Sequence, residues 1–462
     1  MTATAASRPD AAAPHAAHSR HFPVSTAELE RISVAVLDAA KRGGATAAET
    51  DVSQGIGQSV TVRKDSVETI SYNRDKGISV TVYVGQRRGN ASTADFADDS
   101  IRATVDKALA IARYTAEDPA SGLADPARLA RSWPDLDLYH PWPLSVEEAV
   151  ELGRETEAAA LAVDPRISNS EGATVARSES EFVYANSLGF AGGYRTSRHH
   201  IDCSVIGGHD DAMQRDYWYS AARAPSDLAS AREVGRIAGE RTVRRLDSRK
   251  LRTTECPVLF EAPEAADLIG FFVQAVSGGS LYRKSSFLLD SIGQQVFAPH
   301  VRLREEPHLL RARGSAPFDS EGVATKPRDV VRDGVVQGYF LGSYSARKLG
   351  MESTGNGGGS HNLVLSHGDD DLPALLARMG RGLFVTEQLG QGVNNVTGDF
   401  SRGAAGFWVE DGVIAYPVEE ITIAGNLRDM FKGIVAVGND VDRRGSRHTG
   451  SILIDRMTIA GH

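Results

Sequence analysis

Residues 403–426 read GAAGFWVEDGVIAYPVEEITIAGN, and this stretch decides the fold class. Asp411-Gly412 is a dipeptide that adopts the positive φ values of a two-residue hairpin turn at little cost. It joins two apolar runs of strand length, 406–410 and 413–418. A second such pair, Asp333-Gly334, also sits between apolar strands. From Leu251 onward the chain becomes glycine-rich and strand-rich, which predicts a large, curved, mainly antiparallel β-rich domain over 251–462 with a few helices.

Upstream of Leu251 the pattern changes to helices alternating with short sheets, so the whole chain reads as α+β. Ser25 and Glu28 make a capping-box pattern before a helix over 26–41, which Gly43 and Gly44 stop. Strands follow at Val60 and Val62 and at Ile78, Val80, Val82 and Val84, with a turn expected at 74–77. A helix over 100–114 then closes a first domain, 23–125. Residues 119–143, rich in Pro, Asp and Ala, read as a linker. The plan recurs in a central domain, 126–250: a capping box at Ser145 and Glu148, strands near 167–177 and 201–206, and a helix over 227–246. Residues 1–22 read as a disordered tail. Their alanines do not make the apolar segment of a signal peptide.

Composition narrows the class. At 462 residues the chain is longer than one hydrophobic core usually organises. With 41% hydrophobic and 24% charged residues it is an ordinary globular composition. No apolar run approaches the length of about 20 residues that crosses a bilayer, so no membrane partner is expected. A net charge of -9 offers no global attraction to polyphosphate, which makes nucleic acid a poor partner. Cys203 and Cys256 provide no disulfide framework, as suits a reducing cytoplasm.

The segments GGSLYRKSSFLLDSIGQQ (278–295), GSAPFDSEGVATK (314–326), GYFLGSYSARKLGMESTGN (338–356), 390–426 and GIVAVGND (433–440) closely resemble the PmbA/TldE branch of the TldD/PmbA peptidase family, also known as modulators of DNA gyrase. The likeness extends more weakly into the first half, including KALAIARYTAEDP (107–119). The resemblance implies a subunit of a TldD/TldE zinc metalloprotease that processes or degrades unfolded peptides, with a zinc-bearing TldD-like partner; whether the isolated chain forms a homodimer or pairs only with that partner stays open. In the catalytic TldD branch, a His-Glu, three-residue, His motif on a helix and a Cys near the C-terminus bind the zinc. None of the 13 histidines here precedes a Glu, and no cysteine follows Cys256. A catalytic zinc needs about three protein ligands and an open position. The expectation is therefore no metal and no catalytic residue in this chain, with zinc in the partner.

Several residue groups have a chemical and a plain reading. On the helix opening at Pro263, Glu264 and Asp267 are candidate acid-base groups, but carboxylates in a first helical turn also suit the dipole while remaining solvated. His199, His200, Cys203 and His209 look like metal ligands by composition and not by spacing. His361 and His367 flank a strand-like segment. TGNGGGS (354–360) lacks the Lys-Ser/Thr ending of a phosphate loop and reads as a turn. Ser285, Ser343 and Ser345 become nucleophiles only if a histidine and a carboxylate converge on them. Arg283, Lys284 and Ser285 with Asn394 and Asn395 either present polar groups to an extended peptide or hold loops and an interface. Two other functions stay open: an autonomous hydrolase with an unrecognised site, and a non-enzymatic protein-binding regulator.

Overall fold

The computed structural model describes residues 22–461. Apart from Phe22, the tail expected at 1–22 lies outside the described residues.

The first lobe begins with α1 (Thr26–Arg42), where the Ser25 side chain accepts a hydrogen bond from Glu28 N and the helix buries Leu29, Ile32 and Val36. β1 (Ala47–Arg63), β2 (Ser66–Val84) and β3 (Arg87–Thr93) form an antiparallel meander. α2 (Asp98–Tyr114) lays Ile101, Val105, Ala108 and Leu109 into the same core. The β1–β2 turn corrects the sequence reading. It falls at Lys64-Asp65, with φ of 51° and 61°, while 74–77 continues as paired strand. No glycine marks the turn because a distant residue stabilises it: Glu157 accepts from Lys64 N at 2.9 Å and Asp65 N at 3.0 Å.

Residues 115–145 run as a strap rather than a free tether. Leu136 and Leu138 are buried, Ser197 N donates to Leu138 O at 3.0 Å, and Ala130 N donates to Gly322 O at 2.9 Å. α3 (Val146–Leu161) opens with the full reciprocal capping box of Ser145 and Glu148. β4 (Ile167–Asn186), β5 (Ala191–Gly207), β6 (Gln214–Ala222) and α4 (Ala231–Arg244) complete the second lobe. β1 pairs with β4 from Glu49↔Asn186 to Val62↔Ala173, so the two lobes share one six-stranded sheet, ordered β3-β2-β1-β4-β5-β6. The helices cover one face. The other face is a floor of small groups, Ser53, Gly55, Gly57 and Ser59 of β1 beside Ser180, Ser178 and Ala176 of β4.

The C-terminal part contains β7 (Thr254–Phe260), α5 (Ala262–Ala275), α6 (Gly278–Tyr282), β8 (Leu303–Glu305), β9 (Arg328–Arg332), β10 (Val335–Val336), α7 (Ser343–Leu349) and β11 (Leu363–Leu365). It continues through α8 (Leu372–Met379), β12 (Gly382–Leu389), β13 (Asp399–Glu410), β14 (Val413–Asn426), α9 (Leu427–Lys432), β15 (Ile434–Val437), β16 (Arg447–His448) and β17 (Ile452–Ala460). Both Asp-Gly pairs are hairpin turns, with φ of 51° and 76° at Asp333-Gly334 and 49° and 76° at Asp411-Gly412. One sheet runs β10-β9-β8-β11-β16, the other β14-β13-β12-β7-β17-β15. β14 also pairs with β17 over Thr422–Ala424, which closes five of those strands on themselves and leaves β15 as the outer strand. Apart from the parallel contacts β7–β12 and β11–β16, the pairings are antiparallel. The mixed α+β architecture is the one expected. Among the described residues no helix is long and apolar enough to cross a membrane.

Candidate functional site

α5 is placed by charge as well as by packing. Its inner face buries Ala265, Leu268, Ile269 and Phe272, and its N-cap, Glu261, accepts from Arg241 Nη1 at 2.8 Å. Arg241 of α4 also meets Asp216 of β6 at 3.2 Å, and Arg245 meets Glu387 of β12 at 2.5 Å. This largely buried network ties α5 and β12 to the second lobe.

The two carboxylates of α5 differ: Glu264 is not solvated, contrary to the plain reading of the sequence, whereas the Asp267 side chain is 48% exposed and agrees with it. Glu264 is shielded, and Gln388 Nε2 donates to both its carboxylate and its backbone oxygen at 3.2 Å. Burial, reinforced by Asp267 and Glu261 and opposed by the Gln388 hydrogen bond, pushes its carboxyl up to about 7. Asp267 meets Arg402 Nη1 at 3.2 Å and Arg447 Nη1 at 3.9 Å. The Arg447 guanidinium lies so close over Gly270 that a Cβ there would stand 2.7 Å from it. Zinc does not fit this donor set. α5 offers no imidazole or thiolate, Asp267 is already held by cations, and Arg447 places a fixed positive charge on the helix surface.

The other candidates are dispersed. His199 and Cys203 do share a face, but both are buried, Cys203 in the core beneath α3 and α4 and His199 against His140 and Trp142 of the strap. His199 Nε2 lies 2.7 Å from His140 O, and burial pushes the Cys203 thiol up to about 12. His200 points the opposite way, to Asp202 at 3.0 Å. His361 Nε2 lies 2.9 Å from Gly355 O, and His367 is exposed. Among the described residues no group of three or more His, Cys, Asp or Glu could hold a metal ion. Ser343 Oγ donates to Glu321 at 2.5 Å and Ser345 Oγ to Gly342 O at 3.0 Å, so neither hydroxyl is directed at a histidine.

The 283–285 and 394–395 segments do come together. Asn395 Nδ2 donates to Ser285 O at 2.7 Å, and Phe287 N donates to Asn395 O at 2.8 Å. Asn394 Oδ1 accepts from Val396 N at 2.9 Å, and Ser285 Oγ donates to Ser280 O at 3.3 Å. Arg283 lies over the Tyr282 ring, and both Arg283 and Lys284 are exposed.

A cleft between the shared sheet and the C-terminal part was not legible in the sequence. Its cavity of about 560 Å³ is lined by Glu49, Asp51, Tyr184, Phe318, Asp319 and Glu321, with the 357–360 part of the glycine-rich loop as one wall. A neighbouring cavity of about 860 Å³ shares Glu49, Arg88 and Glu321. Tyr83 and Tyr184 hydroxyls donate to Glu49 at 2.9 and 2.8 Å. Burial and the adjacent Glu321 push Asp319 up to about 7, although Glu321 N, Val323 N and Gly357 N all donate to it. Asp319 and Glu321 belong to 314–326, a family-like segment, but nothing local showed that Glu49 would face them.

Three family models cover most of the chain: PmbA/TldA metallopeptidase domain 1 over 48–112, the central domain over 139–246 and the C-terminal domain over 253–461. The chain belongs to the PmbA/TldD metallopeptidase family, on its PmbA/TldE branch. It is 48% identical to the metalloprotease PmbA homolog of Haemophilus influenzae over 436 residues, covering 94% of this chain and 96% of that one. It is also 48% identical to metalloprotease PmbA of Escherichia coli O157:H7, with 91% and 93% covered. A crystal structure from Bacteroides thetaiotaomicron, described as a proposed modulator of DNA gyrase, superposes with a TM-score of 0.89 at 29% identity, covering 94% and 99%.

Proposed function

We propose that this chain is the PmbA/TldE-type subunit of a TldD/TldE zinc peptidase that degrades or processes unfolded peptides in the cytoplasm, and that it carries no zinc and performs no hydrolytic step itself. The observation that supports this most is α5. It occupies the stretch between the PVLFE strand and the 283–284 block, where the catalytic branch carries its metal motif, yet it has no histidine or cysteine and is covered at Gly270 by Arg447. The chain's own contribution is then to complete a chamber, exclude folded proteins and hold an extended peptide for cleavage at the zinc of its partner. The C-terminal part supplies most of that heteromeric contact, and the isolated chain associates with itself. Arg283 and Lys284 remain available to a peptide, whereas Ser285, Asn394 and Asn395 work mainly to lock their loops.

Glu264 favours a second reading. A carboxyl near neutrality in a shielded position is what a general acid or base requires, so this chain would then contribute acid-base chemistry to the complex. A peptidase assay on unfolded casein separates the two, using the purified chain alone, a zinc-bearing TldD chain alone, and the mixture. The first reading expects cleavage in the mixture and none from this chain. Cleavage by this chain alone overturns it.

A further inference from the structure

A groove runs between the end of β6 and the C-terminal part. Its cavity of about 810 Å³ is bounded by Ala221 and Ala222 of β6, by Leu309 and Leu310, by Val364 of β11 and by the loop before β16. A smaller recess continues from it to Ser197 and Arg198 of β5. Six guanidinium groups converge on these two spaces: Arg198, Arg223, Arg311, Arg313, Arg443 and Arg444. Among the described residues, Asp227 is the only carboxylate on their walls. The chain as a whole has a net charge of -9, so this concentration of positive charge runs against its composition.

Only part of that charge is balanced within the chain. Arg311 pairs with Asp137 at 2.5 Å and with Asp227 at 3.4 Å, and Arg444 pairs with Asp442 at 3.0 Å. Arg223 is largely sheltered yet meets no carboxylate: it donates to Ala312 O, Ser197 O and Arg313 O at 3.4, 3.2 and 3.0 Å. Burial, with the like charge of Arg198, disfavours its charged form. Those bonds use three of the five guanidinium N–H groups and leave the rest available. The Arg198, Arg313 and Arg443 side chains form no ion pair among the described residues, and Arg313 and Arg443 are exposed. Carboxylates entering the groove would relieve the repulsion among these cations and gain charge-assisted hydrogen bonds.

The rest of the lining narrows the occupant. Beside the arginines the groove presents apolar surface at Leu309, Leu310, Val364 and Val441, and Leu310 is 67% exposed. Side chains of an extended peptide alternate in direction at about 3.3 Å per residue. Acidic residues at every second position can therefore meet the arginines while the apolar ones between them meet the leucines and valines. The Trp218 and Tyr219 rings of β6, which could stack a nucleic-acid base, are already covered by Arg444 at 4.0 and 4.2 Å. The groove also leads towards α5. Arg447, next to His448 of the groove wall, lies over Gly270, and Tyr217, on the same strand as Ala221, faces Glu264.

We propose that this groove binds an extended peptide segment through its side-chain carboxylates, so that acidic unfolded peptides are the class this chain holds. The proposal rests on the reading of the chain as the peptide-holding subunit and specifies its substrate.

Fluorescence anisotropy tests it, with the purified full chain and a short labelled peptide in which glutamate alternates with valine. The peptide should bind, less tightly as salt is raised, and its counterpart with lysine in place of glutamate should not. Arg313→Glu combined with Arg443→Glu should weaken binding about tenfold or more, because each reversal turns an attraction into a repulsion. The Arg313 and Arg443 side chains bond to nothing among the described residues, so this variant keeps the fold. Arg102→Glu combined with Arg232→Glu, exposed on α2 and α4, makes the same change in net charge and should leave the affinity within about twofold. The proposal is overturned if the lysine peptide binds equally well, if both double variants lose affinity alike, or if a single-stranded oligonucleotide of matched charge binds more tightly through the same arginines. The Arg313 and Arg443 variant should still assemble with the zinc-bearing chain in ultracentrifugation; loss of assembly would give the groove to the heteromeric contact and also overturn the proposal. Binding is read on this chain alone. Cleavage of casein by the mixture without binding of the glutamate peptide therefore refutes the groove and spares the peptidase reading, and binding without cleavage does the reverse.

Discussion

Glu264 is where burial and function are most closely opposed. Its carboxyl faces Gln388, Asp267, Glu261, Arg402 and the Tyr217 ring, and burial is the strongest influence on it. Because its pKa is raised to about 7 from 4.5, the folded chain binds more protons than the unfolded chain between those values. Stability therefore falls as pH rises through that window. Glu264→Gln keeps the shape and removes the charge. The variant should match the native protein near pH 4.5 and exceed it by about 2 kcal/mol at pH 8, the full shift being discounted for partial exposure. Urea unfolding at the two pH values measures this, and an unchanged difference between native and variant would show that Glu264 titrates normally.

At the scale of elements, α3 and α4 approach closely because α4 places glycines at the contact. A Cβ on Gly235 would stand 1.9 Å from Thr156 O, and one on Gly239 2.6 Å from Ala160 O. Gly235→Ala improves helix propensity yet must push the two helices apart. It should cost about 1–3 kcal/mol in chemical denaturation, and a stabilised variant would contradict this packing. Both helices were legible, since Ser145 with Glu148 and the apolar spacing are local signals; their mutual approach was not. The same division holds elsewhere. The Asp-Gly turns were readable because the dipeptide itself favours positive φ. The Lys64-Asp65 turn was not, because Glu157, about ninety residues away, holds it. Charged residues and Gly77 imitated a turn in the middle of β2. The site followed the same rule: α5 and its missing ligands could be read from sequence, whereas Gln388, Arg402 and Arg447 reach it only through sheet topology.

The whole molecule depends on how firmly α5 is fixed to the second lobe. Arg241 bridges Asp216 and Glu261, and it also lies over the Trp218 ring. Arg241→Ala would leave the shielded Glu261 without its cation and Asp216 with only its 3.7 Å contact to Arg245, at an expected cost of about 3 kcal/mol. The unfolding transition should broaden or split if the lobes uncouple, which calorimetry detects. The decisive prediction concerns activity in the complex. Glu264→Ala and Asp267→Ala should each leave the mixed peptidase rate within about threefold if α5 only supports the chamber. Loss of a true general acid or base typically costs about 10²-fold or more. Asp267 is already committed to Arg402 and Arg447, and no histidine stands on α5 to exchange a proton with Glu264. If either alanine abolishes turnover while ultracentrifugation shows the complex intact, this subunit supplies chemistry directly, and the raised pKa of Glu264 is a catalytic property rather than a cost of packing.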